Sequence, residues 1–360
     1  MNRRYIIASG GTGGHFYPGF ALGKALRKQG CPVLFIVRKN DPAIQVLKAK
    51  RLHYNEIDFT GLPRSINPLR HIAFVTKFFK SLSQTRRIVR RFRPDVAVGM
   101  GGYISFPLIV MAHFMGIKTA VHDSNARLGL ANRCSGLFAD LFMLGLPIPK
   151  KMKKAVLTST PIRAEFVSRA NRNGLLKELG LDPARKTALV VGGSQGAKNL
   201  NLAVVEAARH SKQWQFIHIT GERWYSTVRG MHELNPRVAV LPYSHEIYAL
   251  MQVVDLAICR SGASTLAELI YCRLPAVLVP FPHAAANHQY YNARILQEAG
   301  CALLLPDDKH LAEHLQQTML LLDGAGAAAK LSAMSKAYRR LEVPNPLQAA
   351  QNIAKLLGQL

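Results

Sequence analysis

The sequence is short of acid. Its 360 residues carry 47 lysines and arginines against 21 aspartates and glutamates, a formal charge of +26. The shortage is local: residues 1–160 hold 26 basic and 6 acidic side chains, residues 161–360 hold 21 and 15. A field of one sign in the first half calls for an anionic partner there: a membrane surface, a nucleic acid or a phosphorylated substrate. Cysteine is scarce too. The five (Cys31, Cys134, Cys259, Cys272, Cys301) are odd in number and form no C-x-x-C, which argues against a disulfide framework and for a reducing, cytoplasmic compartment. The longest apolar run, 104–115, contains a proline and a histidine and falls short of a bilayer span. Met1-Asn-Arg-Arg leads straight into a short strand, without a signal-peptide pattern. No two aspartates stand at i, i+2, so an Asp-x-Asp pair able to hold a divalent metal is missing and no metal site or cofactor is expected.

What is present is the grammar of an α/β protein. Hydrophobic residues make up 49%, a globular composition, and the length suits two domains. Tyr5-Ile-Ile-Ala reads as a buried strand feeding GGTGGH at 10–15 and then a helical pattern. A glycine loop between strand and helix lets backbone amides approach a phosphate or sugar. The dinucleotide fingerprint fails, because Gly11 and Gly13 fit while Phe16 takes the last place, and no Walker lysine follows. Strand-to-polar-tip units recur at 95–105 (ending GMGGYIS) and at 118–125 (ending His122-Asp-Ser-Asn125), and 187–197 restarts the strand–glycine-loop–helix order. The repetition predicts two Rossmann-like domains facing a cleft, with ligands at the carboxyl ends of the strands. Prolines 147, 149 and 161 around Lys150-Lys-Met-Lys-Lys suggest an interdomain crossing, giving domains over 1–160 and 161–342. A C-terminal amphipathic helix over 343–360, with Leu347, Ala350, Ile353, Ala354 and Leu357 on one face, should pack back on the first domain.

The densest stretch is 260–289. Strand 255–259 ends in a turn, and Ser261-Gly262-Ala263 opens a helix whose free amides and dipole suit a diphosphate. After the next strand, Asn287, His288 and Gln289 supply polar groups for sugar hydroxyls. Thr265-x-x-Glu268 can equally be read as a capping box, with Glu268 serving only its own helix. The segment 69–93 is unusual in another way. Ile72, Val75, Phe79 and Leu82 form a helical stripe flanked by Phe74 and Phe78, amid eight basic residues and no acid. It is either a domain helix with a solvated basic face or a helix resting on anionic lipid headgroups.

Taken together, GGTGGH, GMGGYIS, GGSQGA (192–197), RSGAxTxxE (260–268), LPAVLVPFPH and HQYYNA resemble the MurG family. These enzymes transfer N-acetylglucosamine (GlcNAc) from UDP-GlcNAc to undecaprenyl-pyrophosphoryl-MurNAc-pentapeptide in peptidoglycan synthesis, at the cytoplasmic face of the bacterial inner membrane. The resemblance runs from Gly10 to about Gly300. It implies a GT-B architecture, with the acceptor and the anionic membrane surface served by the first half and UDP-GlcNAc by the second. By position it places Glu268 on the ribose, His288 and Gln289 on the GlcNAc hydroxyls, and Ser194, Gly262, Ala263 and Ser264 on the diphosphate. Tyr243 and Ser244 would read uracil through their backbone, and Arg163 would lie near the donor phosphates. Thr12, Gly13, Gly14, Gly101, Gly102, Tyr103 and Asn125 would surround the acceptor. Two places depart from the family: His-Glu-Gln-Asn reads His122-Asp123-Ser124-Asn125, and Gly-Asn-Pro-Val-Arg reads Ser159-Thr-Pro-Ile-Arg163.

The reaction implied is an inverting displacement needing a base for the acceptor 4-hydroxyl. His15 is the candidate, because a helix start keeps an imidazole neutral; His122 and Asp123 are rivals at a strand tip of the same half. Two other functions fit parts of the sequence. A UDP-GlcNAc 2-epimerase, or a transferase to another lipid, would share the donor half. A basic nucleic-acid binder would share the charge but leave the ordered glycine loops without a purpose, so no nucleic-acid partner is expected.

Overall fold

A computed structural model describes residues 2–360 except 60, 62–66, 149–151, 153, 194–195 and 234. The chain divides into two compact units, one of residues 1–163 with 343–360, the other of residues 164–342. The first begins β1 (Tyr5–Ala8), α1 (Gly13–Lys28), β2 (Val33–Arg38), α2 (Ala43–Ala49), β3 (Tyr54–Ile57), α3 (Pro68–Phe92) and β4 (Val96–Gly99). It continues through α4 (Ser105–Phe114), β5 (Lys118–Asp123), α5 (Leu130–Gly136), β6 (Leu141–Leu144) and β7 (Ala155–Leu157). All its paired strands are parallel, in the order β3-β2-β1-β4-β5-β6-β7. A parallel sheet is covered on both faces, so its strands read as continuous apolar runs and successive side chains enter different cores. Tyr5 and Ile7 join one core with Phe35 and Leu22 of α1, while Ile6 and Ala8 join another with Val89 of α3 and Leu108 of α4.

The second unit runs α6 (Arg172–Glu178), β8 (Lys186–Val191), α7 (Lys198–His210), β9 (Trp214–Ile219), α8 (Tyr225–Met231), β10 (Val238–Leu241) and α9 (Ile247–Val253). Then follow β11 (Leu256–Cys259), α10 (Ala263–Cys272), β12 (Ala276–Leu278), α11 (His288–Glu298), β13 (Ala302–Leu304), α12 (Leu311–Asp323) and α13 (Ala327–Ala337). Its parallel sheet has the order β10-β9-β8-β11-β12-β13. The chain returns to the first unit as α14 (Ala349–Leu357), where Ile353, Ala354 and Leu357 complete the core beneath α1. Burying Ile353 and Leu357 contributes about 1.5–3 kcal/mol each. Arg3 adds a guanidinium hydrogen bond to the Leu357 carbonyl at 3.1 Å.

Three local readings need correction. The tripeptide at 155–157, inside the stretch read as a crossing, pairs with β6 as a seventh strand. The last helix starts at Ala349, so Leu347 precedes it. On α3 the stripe of Ile72, Val75 and Phe79 faces solvent, and Phe74 and Phe78 are the inward rings, packing on Phe59, with Phe78 also stacked on Phe106. Aromatic bulk on the flank won the core contact.

Candidate active site

In each unit the strand order reverses once, between β1 and β4 and between β8 and β11. An open parallel sheet leaves its ligand crevice beyond the carboxyl ends of strands at such a point. The loops singled out in the sequence lie there. Ala8 is in register with Gly99, and the Met100 amide donates to the Ala8 carbonyl at 2.9 Å, so the two glycine loops of the first unit leave the sheet side by side.

A residue with no part in the sequence reading fixes the first loop. Buried Asp41 accepts the Gly11 amide at 2.6 Å and the Ala43 amide at 3.0 Å. Thr12 is the N-cap of α1, which leaves Thr12, Gly13 and Gly14 exposed and puts His15 at the third helical position, half-buried. His15 Nδ1 lies 3.1 Å from Thr12 Oγ1. Its ring rests on the second loop: a Cβ at Gly101 would stand 2.5 Å from His15 Cδ2 and 3.0 Å from Nε2. Gly101 also has φ +100°, a conformation for glycine. Gly102 lies beside the same ring, and the exposed Tyr103 packs its ring on Gly61.

The rival bases are differently placed. His122 is wholly buried, with Nε2–H donating to the Ser159 carbonyl at 3.0 Å and Nδ1 enclosed without a partner among the described residues. Burial holds its pKa below the ordinary histidine range against the opposing pull of that carbonyl and of Asp123. Buried Asp123 accepts the Asn125 amide at 2.9 Å, the Asn125 side chain at 3.2 Å and the Gly129 amide at 3.0 Å. It builds the turn that presents Asn125. Both His122 and Asp123 are buried, whereas His15 is half-buried and the most accessible of the three candidate bases. Arg163, expected beside the donor, closes the first unit and lies over the ring of Tyr17 on α1 at 4.5 Å.

In the second unit β8 runs into the loop 192–197, where Gly193 and Gly196 have φ +92° and +72°. A Cβ at Gly196 would be 2.3 Å from the Thr220 carbonyl oxygen. Ser194 lies outside the described residues. Beside this loop, Cys259 is in register with Val191 and the chain turns into α10. The N-cap of α10 is Gly262, and the first intrahelical bond is Leu266 N–H to the Gly262 carbonyl. The helix therefore begins with Ala263, Ser264 and Thr265, and the capping box does not form, since Thr265 is already in the first turn. Glu268 sits half-buried in the second turn. Burial first, and its carboxylate second, push the Cys259 and Cys272 thiols up to about 12.

Gln289, in the first turn of α11, is stitched to this loop. Its carbonyl accepts the Ser261 hydroxyl at 2.8 Å, and its Oε1 accepts the Phe281 amide at 2.9 Å. With Oε1 so engaged, the side chain's NH2 is what it can donate. Buried Asn292, one turn on, donates to the Ser261 carbonyl at 3.1 Å. His288 Nδ1 donates to the Ala285 carbonyl at 2.9 Å, after two left-handed residues, Ala286 and Asn287. Tyr243 and Ser244 follow the edge strand β10, with the Tyr243 ring edge-on to His245 and Ser244 Oγ accepting the Glu246 amide at 3.1 Å. The sequence reading also missed the brace behind these loops. Arg260 pairs with Asp307 at 2.6 Å, both side chains largely buried, and donates to the Val279 and Pro280 carbonyls. The other Asp307 oxygen accepts from Asn199 of α7 at 3.0 Å. Asp307 lies 47 residues from Arg260, beyond the reach of any local spacing.

Known proteins share this arrangement over the whole chain. Residues 5–143 match the glycosyltransferase family 28 N-terminal domain and residues 187–354 the glycosyltransferase family 28 C-terminal domain. A UDP-N-acetylglucosamine--N-acetylmuramyl-(pentapeptide) pyrophosphoryl-undecaprenol N-acetylglucosamine transferase of Elusimicrobium minutum is 49% identical, across 99% of this chain and 100% of that one. The protein of the same description from Desulforudis audaxviator is 35% identical, across 99% and 98%. The crystal structure of Acinetobacter baumannii MurG superposes with a TM-score of 0.82 at 25% identity, covering 100% of both chains. This chain belongs to the MurG family. Its two Rossmann-like units are those of the GT-B fold. Against the MurG pattern, the serine at 159 keeps the backbone that a glycine would take, with φ +65° and the side chain buried. A non-glycine residue in that region costs about 1–2 kcal/mol. Its carbonyl is the acceptor that fixes His122.

Proposed function

We propose that this chain transfers GlcNAc from UDP-GlcNAc to the 4-hydroxyl of MurNAc-(pentapeptide) on undecaprenyl pyrophosphate, with inversion at the anomeric carbon. The observation that carries the reading is the full-length identity of 49% to a relative whose name states that transfer. The chemistry of the loops supports it. His15 is the base: an imidazole at a helix start stays neutral and takes the acceptor's proton. The amides of loops 10–14 and 99–102, with Tyr103 and Asn125, hold the acceptor's sugar and pyrophosphate. The start of α10 (Gly262, Ala263, Ser264) and loop 192–197, including Ser194, receive the charge that develops on departing UDP. Arg163 helps there if its guanidinium leaves Tyr17. Glu268 accepts the ribose hydroxyls, Gln289 and His288 contact GlcNAc, and the backbone at Tyr243–Ser244 reads uracil. Domain roles follow, with the acceptor on the first unit and the donor on the second.

The enzyme works on the cytoplasmic face of the bacterial inner membrane, as a peripheral protein. Among the described residues no helix is long and apolar enough to cross a bilayer. On α3, Leu69, Ile72, Val75 and Phe79 are 71, 59, 48 and 65% exposed, and helical spacing continues their row through Arg86 and Arg90. Apolar side chains followed by arginines suit an anionic leaflet, each cation adding about 1 kcal/mol at the surface. The deciding experiment incubates the protein with radiolabelled UDP-GlcNAc and a short-chain acceptor lipid. Label in the lipid supports the reading; a 2-epimerised sugar, or transfer only to another lipid, replaces it.

A further inference from the structure

The edge of the first sheet remote from the glycine loops carries a groove of about 790 Å3. Arg4 enters it from just before β1, Arg27 from the last turn of α1, Tyr54 from the start of β3, and Arg87 and Arg91 from α3. Among the described residues no aspartate or glutamate lines it. Asp95, nearby, accepts the Arg4 backbone amide at 2.7 Å. The Arg4 guanidinium lies over the Phe92 ring at 4.7 Å. Those of Arg27, Arg87 and Arg91 have neither ion pair nor hydrogen bond among the described residues.

Two ordinary explanations reach only part of this. A cation in the last turn complements a helix dipole, which accounts for Arg27 and Arg91 but not for Arg4 or Arg87. The exposed row that meets the membrane contains Arg86 and Arg90, whereas Arg87 and Arg91 stand about a quarter-turn around α3 from it, at roughly 100° per residue. Four guanidinium groups from three elements converge on one concavity, repelling one another with no acid between them. An anion removes that repulsion, and the planar donor fork of arginine matches phosphate. The volume falls in the range of small-molecule sites, about 300–1,000 Å3. We propose that this groove is a phosphoryl-binding site, distinct from the sugar-transfer site, for a soluble phosphate-bearing molecule or an anionic lipid headgroup.

The test titrates the full chain with inorganic pyrophosphate by calorimetry at low salt, beside Arg27→Gln/Arg91→Gln and Arg27→Lys/Arg91→Lys. Losing charge-assisted contacts should weaken a saturable binding step about 10- to 100-fold in the glutamine pair and less in the lysine pair. Far-UV circular dichroism should stay as in the parent, which shows that the variants are folded, and UDP binding to the second unit should be unchanged. Flotation with phosphatidylglycerol vesicles separates the sources. Vesicle binding lost in the glutamine pair and competed by pyrophosphate assigns a headgroup; intact vesicle binding with lost pyrophosphate binding assigns a soluble ligand. Pyrophosphate and vesicle binding both indifferent to these arginines, or absent in the parent, overturns the site.

Discussion

A chain of three side chains beneath loop 192–197 makes the second unit acid-sensitive, by an amount that can be worked out. Asn201 donates its side-chain amide to the Thr220 carbonyl at 3.0 Å, so its Oδ1 must accept from His218 Nε2–H at 3.1 Å. That leaves His218 Nδ1 to accept from His232 Nε2–H at 3.3 Å. Both rings are buried, and the direction of the chain requires His218 to be neutral. Burial first, then each ring's cationic neighbours (His232 for one, Arg209 for the other), lower the pKa values to about 3 for His218 and about 4 for His232. Unfolded, both take up protons below about pH 6.5. Their contribution to stability is therefore whole above pH 6.5 and is lost as the pH falls towards 4. Each histidine costs about 1.4 kcal/mol per pH unit in that window. Together they remove about 3 kcal/mol by pH 5.5 and about 5 by pH 4.5, comparable to the whole stability of many domains. Both tryptophans, Trp214 and Trp224, lie in the second unit, so urea unfolding followed by tryptophan fluorescence reads that unit. The perturbation is His218→Gln/His232→Gln, which keeps donors and acceptors but cannot titrate. Parent stability should fall more steeply with acid than the variant's by roughly these amounts. Equal slopes from pH 7.5 to 4.5 would refute the reasoning.

Five further outcomes are expected. Glu268→Ala should raise the donor KM about 10- to 100-fold, as for loss of a charged hydrogen bond; steady-state kinetics showing an unchanged KM would remove Glu268 from the ribose. His15→Ala should lower kcat about 10²- to 10⁴-fold and erase the acidic limb of the pH–rate profile. Gly101→Ala, which drives a methyl into the His15 ring at a positive φ, should lower kcat with little effect on donor KM; full activity would mean that the ring's position is not critical. Phe79→Ser with Arg86→Glu and Arg90→Glu should weaken flotation with anionic vesicles, and added salt should do so in the parent. Transfer should persist in EDTA; abolition by chelator with rescue by magnesium would reveal a metal requirement.

The sequence made the centre of each sheet legible and the margins much less so. β1, β4, β8 and β11 are buried on both faces and lead straight into glycine or small-residue loops, so composition and punctuation agree. β3, β7 and β13 lie at or near sheet edges, and a tetrapeptide such as Tyr54-Asn-Glu-Ile carries no clear period. α3 was recognisable as a helix, but its orientation was not, because Phe74 and Phe78 compete with the Ile72 row for the core and only Phe59 and Phe106 decide the contest. Among site residues, the loop glycines and Glu268 announce themselves by local spacing. Asp41, Asp307 and Asn292 act on partners 30, 47 and 31 residues away, and no local pattern contains that information. The burial of His122 and Asp123 is likewise something a polar strand tip does not reveal.

The return of α14 to α1 has a consequence for how the molecule is made. The first unit is built from two lengths of chain with residues 164–342 inserted between them. On the ribosome, β1 to β7 emerge well before Ile353 and Leu357, and the face of α1 those residues cover waits open while the second unit is synthesised. Until then the helix that begins near His15 lacks part of its apolar backing. The second unit has no such dependence and can close its own core early. Maturation of the His15 loops is thereby timed to the end of synthesis, and a chain cut after residue 342 should keep a folded second unit beside a loosened first.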